Sequence, residues 1–215
     1  YICKALVEAL GHPVGLIGTV AYQIGERTMP ATHTTPGPLE LQQLLAKMVT
    51  GGCTTAVMEV SSHALAQDRT SGCEYDVAVF SNLTQDHLDF HKTMEEYFQA
   101  KLKLFTGLKG GLKANKRAIV NIDDPYGIRI VERCPAPVWT YALKAKADLR
   151  AEAVRLSLQG TTFTAATPVG SFPIESHLVG EHNVYNLLAA IGVALHEGAT
   201  PAQIREAVAR VTNVP

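Results

Sequence analysis

A lysine on an apolar helix face is the first residue of this sequence that could do chemistry. The segment TMEEYFQAKLKLF begins with Thr93 and Glu96, a pair typical of a helix capping box, and predicts a helix over 94–108. At about 100° per residue, Lys101 falls near the middle of the apolar arc, whereas Lys103 falls on the opposite, charged side. A lysine placed like Lys101 must be paired, neutral, covalently modified or able to reach water. A neutral amine can add carbon dioxide and become a carbamate, which is an anionic oxygen ligand for a metal.

Polar, titratable side chains also follow two strand-like runs. The run DVAVFSNL leads into TQDHLDFH (84–91), directly before the predicted helix, and the run AVMEV contains Glu59 near its end. Open α/β sheets place ligands at the carboxyl ends of parallel strands, so we expect Glu59 and His87 to face one crevice. One carboxylate and one imidazole, with a further oxygen donor, suit Mg²⁺ or Mn²⁺ that holds a phosphate.

Plainer interpretations of these residues stay open. The stem of Lys101 could pack while its head reaches solvent at an edge, and Lys103 is expected to be an ordinary solvated lysine. His87 and His91 would also fit a helix cap or a core hydrogen bond. A zinc pair at their i, i+4 spacing lacks the surrounding H-E-x-x-H pattern.

The elements that must position these residues alternate along the chain. Apolar periodicity predicts helices over 2–10, 37–50, 94–108 and 125–134, and strands over 14–20, 55–60, 76–83, 117–122 and 137–141. This alternation predicts an α/β fold with a mostly parallel, doubly wound sheet covered by helices on both faces.

The segment 149–178 breaks the alternation. Its three β-rich runs are separated by the turn signals Gln159-Gly160 and Pro168 to Gly170, which predict a small antiparallel β-meander. Two helices follow, and the second begins with Thr200 and Gln203 as a capping box.

Composition excludes several classes of protein. The 215 residues suit one large domain, and 19 basic against 20 acidic residues, a net charge of −1, argue against nucleic acid or anionic membrane as a partner. No apolar run approaches the roughly 20 residues of a membrane span. Four scattered cysteines without a C-x-x-C pair predict free thiols in a reducing compartment and argue against structural zinc: Cys3, Cys53, Cys73 and Cys134.

Several ordered motifs together resemble a known family. They are EVSSHALAQDR (59–69), SNLTQDHLDFH (81–91) and MEEYFQAKLKLF (94–105), supported by HTTP (33–36), NIDD (121–124) and GEHNVYNLLAA (180–190). Over nearly the whole chain, the sequence resembles the central, ATP-binding domain of the Mur ligases, and among these the MurE type. The resemblance implies the P-loop NTPase-like fold of that domain.

The resemblance also implies roles for particular residues. Glu59 and His87 match the family's magnesium ligands, and Lys101 matches its carbamylated lysine, so these three are the implied metal-binding and catalytic residues. Five residues match positions that hold the UDP-N-acetylmuramoyl dipeptide: Thr34, Thr35, Ser61, Gln67 and Arg69. Asn183 and Asn186 match a region near the adenine of ATP. The implied cofactor is Mg²⁺, with ATP as a substrate.

The implied activity is that of an ATP-dependent, ADP-forming amide ligase of peptidoglycan synthesis. ATP phosphorylates the terminal carboxylate of UDP-N-acetylmuramoyl-L-alanyl-D-glutamate, and the amine of the third amino acid attacks the acyl phosphate. Nothing in these residues decides between diaminopimelate and lysine. The resemblance implies a cytoplasmic, monomeric enzyme without a nucleic-acid or membrane partner.

One departure from the family pattern limits this interpretation. The sequence contains no G-x-x-x-x-G-K-[ST] phosphate loop, and the run from Gly110 to Lys113 does not fit one. We therefore expect residues 1–215 to be a Mur ligase central domain cut at both ends, which lacks its phosphate loop, contains the meander 149–178 as a subdomain and is inactive alone. A non-catalytic remnant, another Mur-type ligase and a ligase like folylpolyglutamate synthase (FPGS) stay open as alternatives. A Gly-Lys-Thr loop encoded upstream of Tyr1 would favour the enzyme.

Overall fold

Helices and strands alternate along residues 1–214, the part of the chain that this computed structural model describes. The strands are β1 (Val14–Ile17), β2 (Ala21–Ile24), β3 (Arg27–Pro30), β4 (Thr55–Met58), β5 (Val77–Phe80), β6 (Arg117–Asn121), β7 (Val138–Ala142), β8 (Leu149–Ser157), β9 (Gly160–Thr167) and β10 (Gly170–Ser176). The helices are α1 (Ile2–Glu8), α2 (Pro38–Thr50), α3 (Ser62–Ala66), α4 (Leu88–His91), α5 (Met94–Thr106), α6 (Pro125–Val131), α7 (Glu181–His196) and α8 (Pro201–Arg210).

The larger sheet has six strands in the order β10-β9-β8-β7-β6-β5. Strands β5 to β8 pair in parallel, and β8, β9 and β10 form the predicted antiparallel meander. Strand β8 also pairs with β7 through Tyr141 and Leu149, so the meander continues the parallel sheet at its edge. The α/β fold with a parallel-rich sheet is confirmed.

Four further strands form a second sheet, which the sequence did not predict as separate. Its order is β3-β2-β1-β4, with β1 and β4 parallel and a hairpin of β2 and β3 at the edge. Within residues 1–214 no ladder joins β4 to β5. The hairpin was missed because β3 is largely exposed and shows no alternating apolar pattern.

Helices cover both faces of the larger sheet. Ile119 of β6 packs in the cluster that contains α7, whereas its neighbours Ala118 and Val120 pack with residues of α5 and α6. Side chains alternate between faces along a strand, so this one strand is buried on both sides. In the smaller sheet α2 packs closely on β1, and a Cβ at Gly15 would clash with the side chain of Met48.

Hydrogen bonds tie together the loops at the carboxyl ends of β5, β6 and β7. Asp124 Oδ2 accepts from Leu83 N (2.7 Å), and Asn121 Nδ2 donates to the Ser81 carbonyl (2.7 Å). The buried Tyr141 hydroxyl donates to the Phe80 carbonyl (3.1 Å). These bonds hold rigidly the edge of the sheet from which the segment 81–91 departs.

The helix that carries Lys101 begins and ends close to the predicted bounds. Thr93 Oγ1 accepts from Glu96 N (3.1 Å), but within the described residues the Glu96 side chain does not return the bond, so half of the predicted capping box forms. At α8 both halves form between Thr200 and Gln203. The predicted strands 14–20, 55–60 and 76–83 each run two or three residues too far, because one apolar residue stands just beyond each strand: Val20, Val60 and Leu83.

All four cysteines are free, as predicted. Among the described helices, none is both long and apolar enough to cross a membrane.

Candidate functional site

Glu59 lies one residue beyond β4, beside the end of β1. Its backbone N–H donates to the Ile17 carbonyl (2.9 Å), which continues the β1–β4 ladder by one bond. Its carboxylate is exposed and bonds to Thr19, which follows β1: Oε2 accepts from Thr19 N (2.9 Å) and Thr19 Oγ1 (2.6 Å). The charged residue of the AVMEV run therefore sits at the carboxyl ends of two parallel strands, where ligands bind in open α/β sheets.

The HTTP loop is fastened to the segment that follows β4. Thr35 is buried, and its hydroxyl donates to the Glu59 carbonyl (2.8 Å) and accepts from Ser61 N (2.9 Å). Thr34 Oγ1 lies 3.1 Å from Thr19 Oγ1 and so reaches the Glu59 carboxylate through one hydroxyl. The two adjacent threonines thus have different contacts, because Thr35 faces the protein and Thr34 is half-buried beside the carboxylate.

Arg69 completes this group of residues. Its Nη1 donates to the Thr35 carbonyl (3.1 Å) and its Nε to Gln67 Oε1 (2.8 Å), which uses two of its five N–H donors. Ser61 caps α3 by accepting from Ala64 N (3.2 Å). The five residues predicted to hold the dipeptide therefore lie together: hydrogen bonds join four of them, and Thr34 reaches Glu59 through Thr19.

The internal bonds of Thr35 predict that its hydroxyl is structural. In Thr35→Val the Glu59 carbonyl and the Ser61 N–H would lose their partner, and we expect a loss of about 1–3 kcal/mol in the free energy of unfolding. Thr34→Val loses only the bond to Thr19 and should cost less than about 1 kcal/mol. Urea denaturation of both variants measures the difference. Equal stabilities would show that the Thr35 bonds do not hold the loop.

His87 and Lys101 both lie beside the ring of Tyr97. His87 has the left-handed backbone conformation (φ 55°, ψ 25°) directly before α4, and its ring centroid is 5.8 Å from that of Tyr97. Lys101 Nζ lies 5.4 Å from the centroid of the same tyrosine ring. The ring of His63 in α3 is 4.9 Å from His87, which brings α3 to this group as well.

His91 has the core role that the sequence left open. It is buried, its Nε2 lies 2.8 Å from Ser62 Oγ, and its ring stacks on Tyr97 with centroids 5.0 Å apart. Burial first, and then repulsion from the neighbouring histidines, lowers the pKa of His91 and of His63. Both effects favour neutral imidazoles around His87.

Lys101 differs from Lys103 as the helical wheel predicts. Burial lowers the pKa of Lys101, and within residues 1–214 no carboxylate lies within 4 Å of its Nζ. Lys103 is half exposed but is not merely solvated, which corrects the expectation: its Nζ pairs with Asp68 Oδ1 (3.1 Å) and donates to the Leu65 carbonyl (3.2 Å). The correction follows from the packing of α3 against α5, which no local pattern reveals.

The donor set fits a divalent cation only if Lys101 takes part. In the described part of the chain, no three His, Cys, Asp or Glu side chains form a group that could hold a metal ion. An amine with a lowered pKa is more readily neutral, and a neutral amine can form the carbamate that adds an anionic oxygen. The described contacts join His87 to Lys101 through Tyr97, and join neither of them directly to Glu59. A single site made by all three stays a prediction.

Asn183 and Asn186 lie in the first turns of α7. Asn183 Nδ2 donates to the Val179 carbonyl (2.9 Å), and Asn186 Nδ2 donates to Asn183 Oδ1 (3.3 Å). No described hydrogen bond links either of them to the residues around Glu59. Their role near adenine stays a prediction.

Sequence reasoning missed two residues that fix loops at the carboxyl ends of strands, one beside Glu59 and one between the loops after β6 and β7. Thr19 holds Glu59, and the only sequence signal for it is a polar residue two positions after an apolar strand. The carboxylate of Asp123, in the NIDD motif, accepts from Tyr185 Oη (2.8 Å) and from the backbone N–H groups of 143–145. Burial alone would raise the pKa of Asp123, but these hydrogen bonds lower it below its usual value.

Comparison with known proteins decides the family. The sequence profile of the Mur ligase middle domain matches residues 1–194. This chain belongs to the Mur ligase family. A UDP-N-acetylmuramoyl-L-alanyl-D-glutamate–2,6-diaminopimelate ligase of Geobacter metallireducens is 43% identical over 217 residues, which cover 100% of this chain and 42% of that protein.

Solved structures of Mur ligases and related proteins share the fold. A structure of a UDP-N-acetylmuramoyl-L-alanyl-D-glutamate–2,6-diaminopimelate ligase matches with a TM-score of 0.88 and 32% identity, over 100% of this chain and 44% of that one. An FPGS–AMPPCP complex matches with a TM-score of 0.68 and 19% identity, over 100% and 60% of the two chains, and shows a common fold only. The chain spans less than half the length of the matched diaminopimelate ligases. The resemblance to the Mur ligases, MurE type, is confirmed.

Proposed function

We propose that the gene product containing this chain is an ATP-dependent amide ligase of peptidoglycan precursor synthesis. It adds an amino acid to UDP-N-acetylmuramoyl-L-alanyl-D-glutamate, and the names of the relatives favour 2,6-diaminopimelate as that amino acid. One observation carries the proposal: the five residues predicted to bind the dipeptide lie in one hydrogen-bonded group that includes Glu59. The enzyme is proposed to be cytoplasmic and monomeric.

The residues around Glu59 would bind and orient the nucleotide-sugar peptide. The free N–H groups of Arg69 suit a carboxylate or phosphate of the nucleotide-sugar peptide, which they would orient. Thr34 and Ser61 would contact the same ligand from the loops after β3 and β4. A fixed orientation of the reacting carboxylate matters because phosphoryl transfer is accelerated mainly by positioning together with electrostatic stabilisation.

Glu59, His87 and carbamylated Lys101 are the residues that would hold Mg²⁺. When bound, the ion neutralises charge between the phosphates of ATP and the carboxylate that receives the phosphoryl group. The neutral state favoured for His63 and His91 suits this role, because neutral rings add no positive charge beside His87. The incoming amine then displaces phosphate from the acyl phosphate.

A ligation assay tests the proposal. The gene product in which this chain occurs should release phosphate from ATP only when both the dipeptide substrate and diaminopimelate are present, and mass spectrometry should detect the new amide. The 215-residue chain alone should release no phosphate above a protein-free control, because it lacks the phosphate-loop motif that positions ATP.

The controls separate the alternative functions. Replacing diaminopimelate by lysine tests the choice of amino acid, and a folate with glutamate tests an FPGS-like activity. A circular dichroism spectrum of the 215-residue chain establishes that it is folded when it is assayed. If the gene product ligates none of these substrates, the non-catalytic role is the remaining explanation. Phosphate release by the 215-residue chain alone would contradict the prediction that the missing phosphate-loop motif makes it inactive.

A further inference from the structure

Thr19 directs two hydrogen-bond donors at a single oxygen of Glu59. Its backbone N–H and its hydroxyl both bond to Oε2, at 2.9 and 2.6 Å. Within residues 1–214 no side chain or backbone group donates to Oε1. The carboxylate is therefore held by one oxygen and leaves the other for a ligand.

The number of hydroxyl protons decides which of Thr19 and Thr34 donates in the contact between them. A threonine hydroxyl has one proton, and that of Thr19 goes to the charged carboxylate, which is the stronger acceptor. In the 3.1 Å contact between the two hydroxyls, Thr34 must therefore be the donor. The bonds run in one direction, from Thr34 to Thr19 to Glu59, and the lone pairs of the Thr34 oxygen stay available to accept a hydrogen bond.

Gly18 supports the same orientation of the carboxylate. A Cβ at this position would lie 3.1 Å from Glu59 Oε1 and 3.2 Å from Cδ. The carboxylate thus packs against the backbone of Gly18, and any side chain there would crowd the open oxygen. Thr19 therefore fixes Oε2 by hydrogen bonds. Gly18 has no side chain and so leaves room beside Oε1.

We infer that Thr19 is a positioning residue that holds Glu59 Oε2 so that Oε1 faces a divalent cation, and that it orients the Thr34 hydroxyl to accept a hydrogen bond from the dipeptide substrate. The inference rests on the proposed function, because that function supplies the cation and the substrate. Thr19 touches neither of them and acts through Glu59 and Thr34. Residues that orient a metal ligand typically change metal affinity about 10–100-fold when they are lost.

Metal binding by Thr19 variants tests this inference without requiring activity. Binding of Mn²⁺ to the full-length gene product is followed by electron paramagnetic resonance in the absence of substrates. Thr19→Val keeps the shape of the side chain and should raise the Kd for Mn²⁺ about 10-fold. Thr19→Ser keeps the hydroxyl and should bind as the wild type does. The matched control is Thr50→Val, which removes an exposed hydroxyl bonded to the Ala46 carbonyl far along α2 and should change nothing.

A second variant provides an independent test if Thr19→Val does not fold. Gly18→Ala keeps Thr19 intact but places a methyl group against Oε1, and it should also raise the Kd for Mn²⁺. Wild-type affinity in both variants, an equal loss in Thr19→Ser, or no Mn²⁺ binding by the wild type would each overturn the inference. A wild type that binds Mn²⁺ with the expected pattern but ligates nothing would overturn the proposed function alone.

Discussion

Replacing Lys101 by methionine should leave the protein folded and remove most of the ligase activity. Methionine keeps an apolar stem of similar length, so the packing on α5 is preserved. The amine that burial makes easier to neutralise is lost, and with it the carbamate oxygen. We expect kcat to fall about 10²–10³-fold, as on removal of other charge-stabilising groups, while the melting temperature stays close to that of the wild type. Steady-state ligation and thermal unfolding of the full-length gene product measure both.

Lys103 provides the matched control on the same helix. Lys103→Ala removes an exposed ion pair with Asp68 and should cost about 0.2–1 kcal/mol of stability, with kcat unchanged. If Lys101 only packs its stem, as the plainer interpretation holds, Lys101→Met would be stable and fully active. That result would end the carbamate hypothesis.

Chemical rescue separates a carbamate from a simple charge. In Lys101→Ala a short-chain carboxylic acid can occupy the vacated space and supply an anionic oxygen, so it should restore part of the activity. Bicarbonate should not, because no amine remains to be carbamylated. Rescue by an added alkylamine in the absence of bicarbonate would instead indicate a role for the ammonium group.

Glu59→Gln should abolish metal binding without unfolding the protein. Both groups of Thr19 that face Oε2 are donors, so they select the amide oxygen of a glutamine at that position. The amide nitrogen must then take the place of Oε1 and direct its N–H groups at the cation. We expect no measurable Mn²⁺ binding and a kcat lower by about 10²–10³-fold.

The control for Glu59→Gln is Glu152→Gln on the meander. Glu152 is exposed and paired with Arg150 at 2.9 Å, so its loss should change stability by less than about 0.5 kcal/mol and leave Mn²⁺ binding intact. Normal Mn²⁺ affinity in Glu59→Gln would remove Glu59 from the metal ligands and would also weaken the interpretation of Thr19.

The sequence was most informative where a local pattern decides the structure. The 3.6-residue period of α5 was enough to separate Lys101 from Lys103, because the buried arc of a helix follows from its own residues. The end of the AVMEV run placed Glu59 at the carboxyl end of a strand for a similar reason. The ordered motifs led to the Mur ligase family, which the comparisons confirm.

The tertiary structure decided which residues meet and which atoms they present. Thr19 and Glu59 are 40 positions apart and meet only because β1 pairs in parallel with β4. Adjacent Thr34 and Thr35 match the same motif, yet the fold turns one hydroxyl inward and leaves the other beside the carboxylate. The sequence by itself determined the elements of the larger α/β sheet and the residue types at their ends, because these depend on neighbours along the chain, but it did not reveal the exposed hairpin of β2 and β3. Partners, burial and the direction of each hydrogen bond depend on strands and helices distant in sequence, so packing alone decided them.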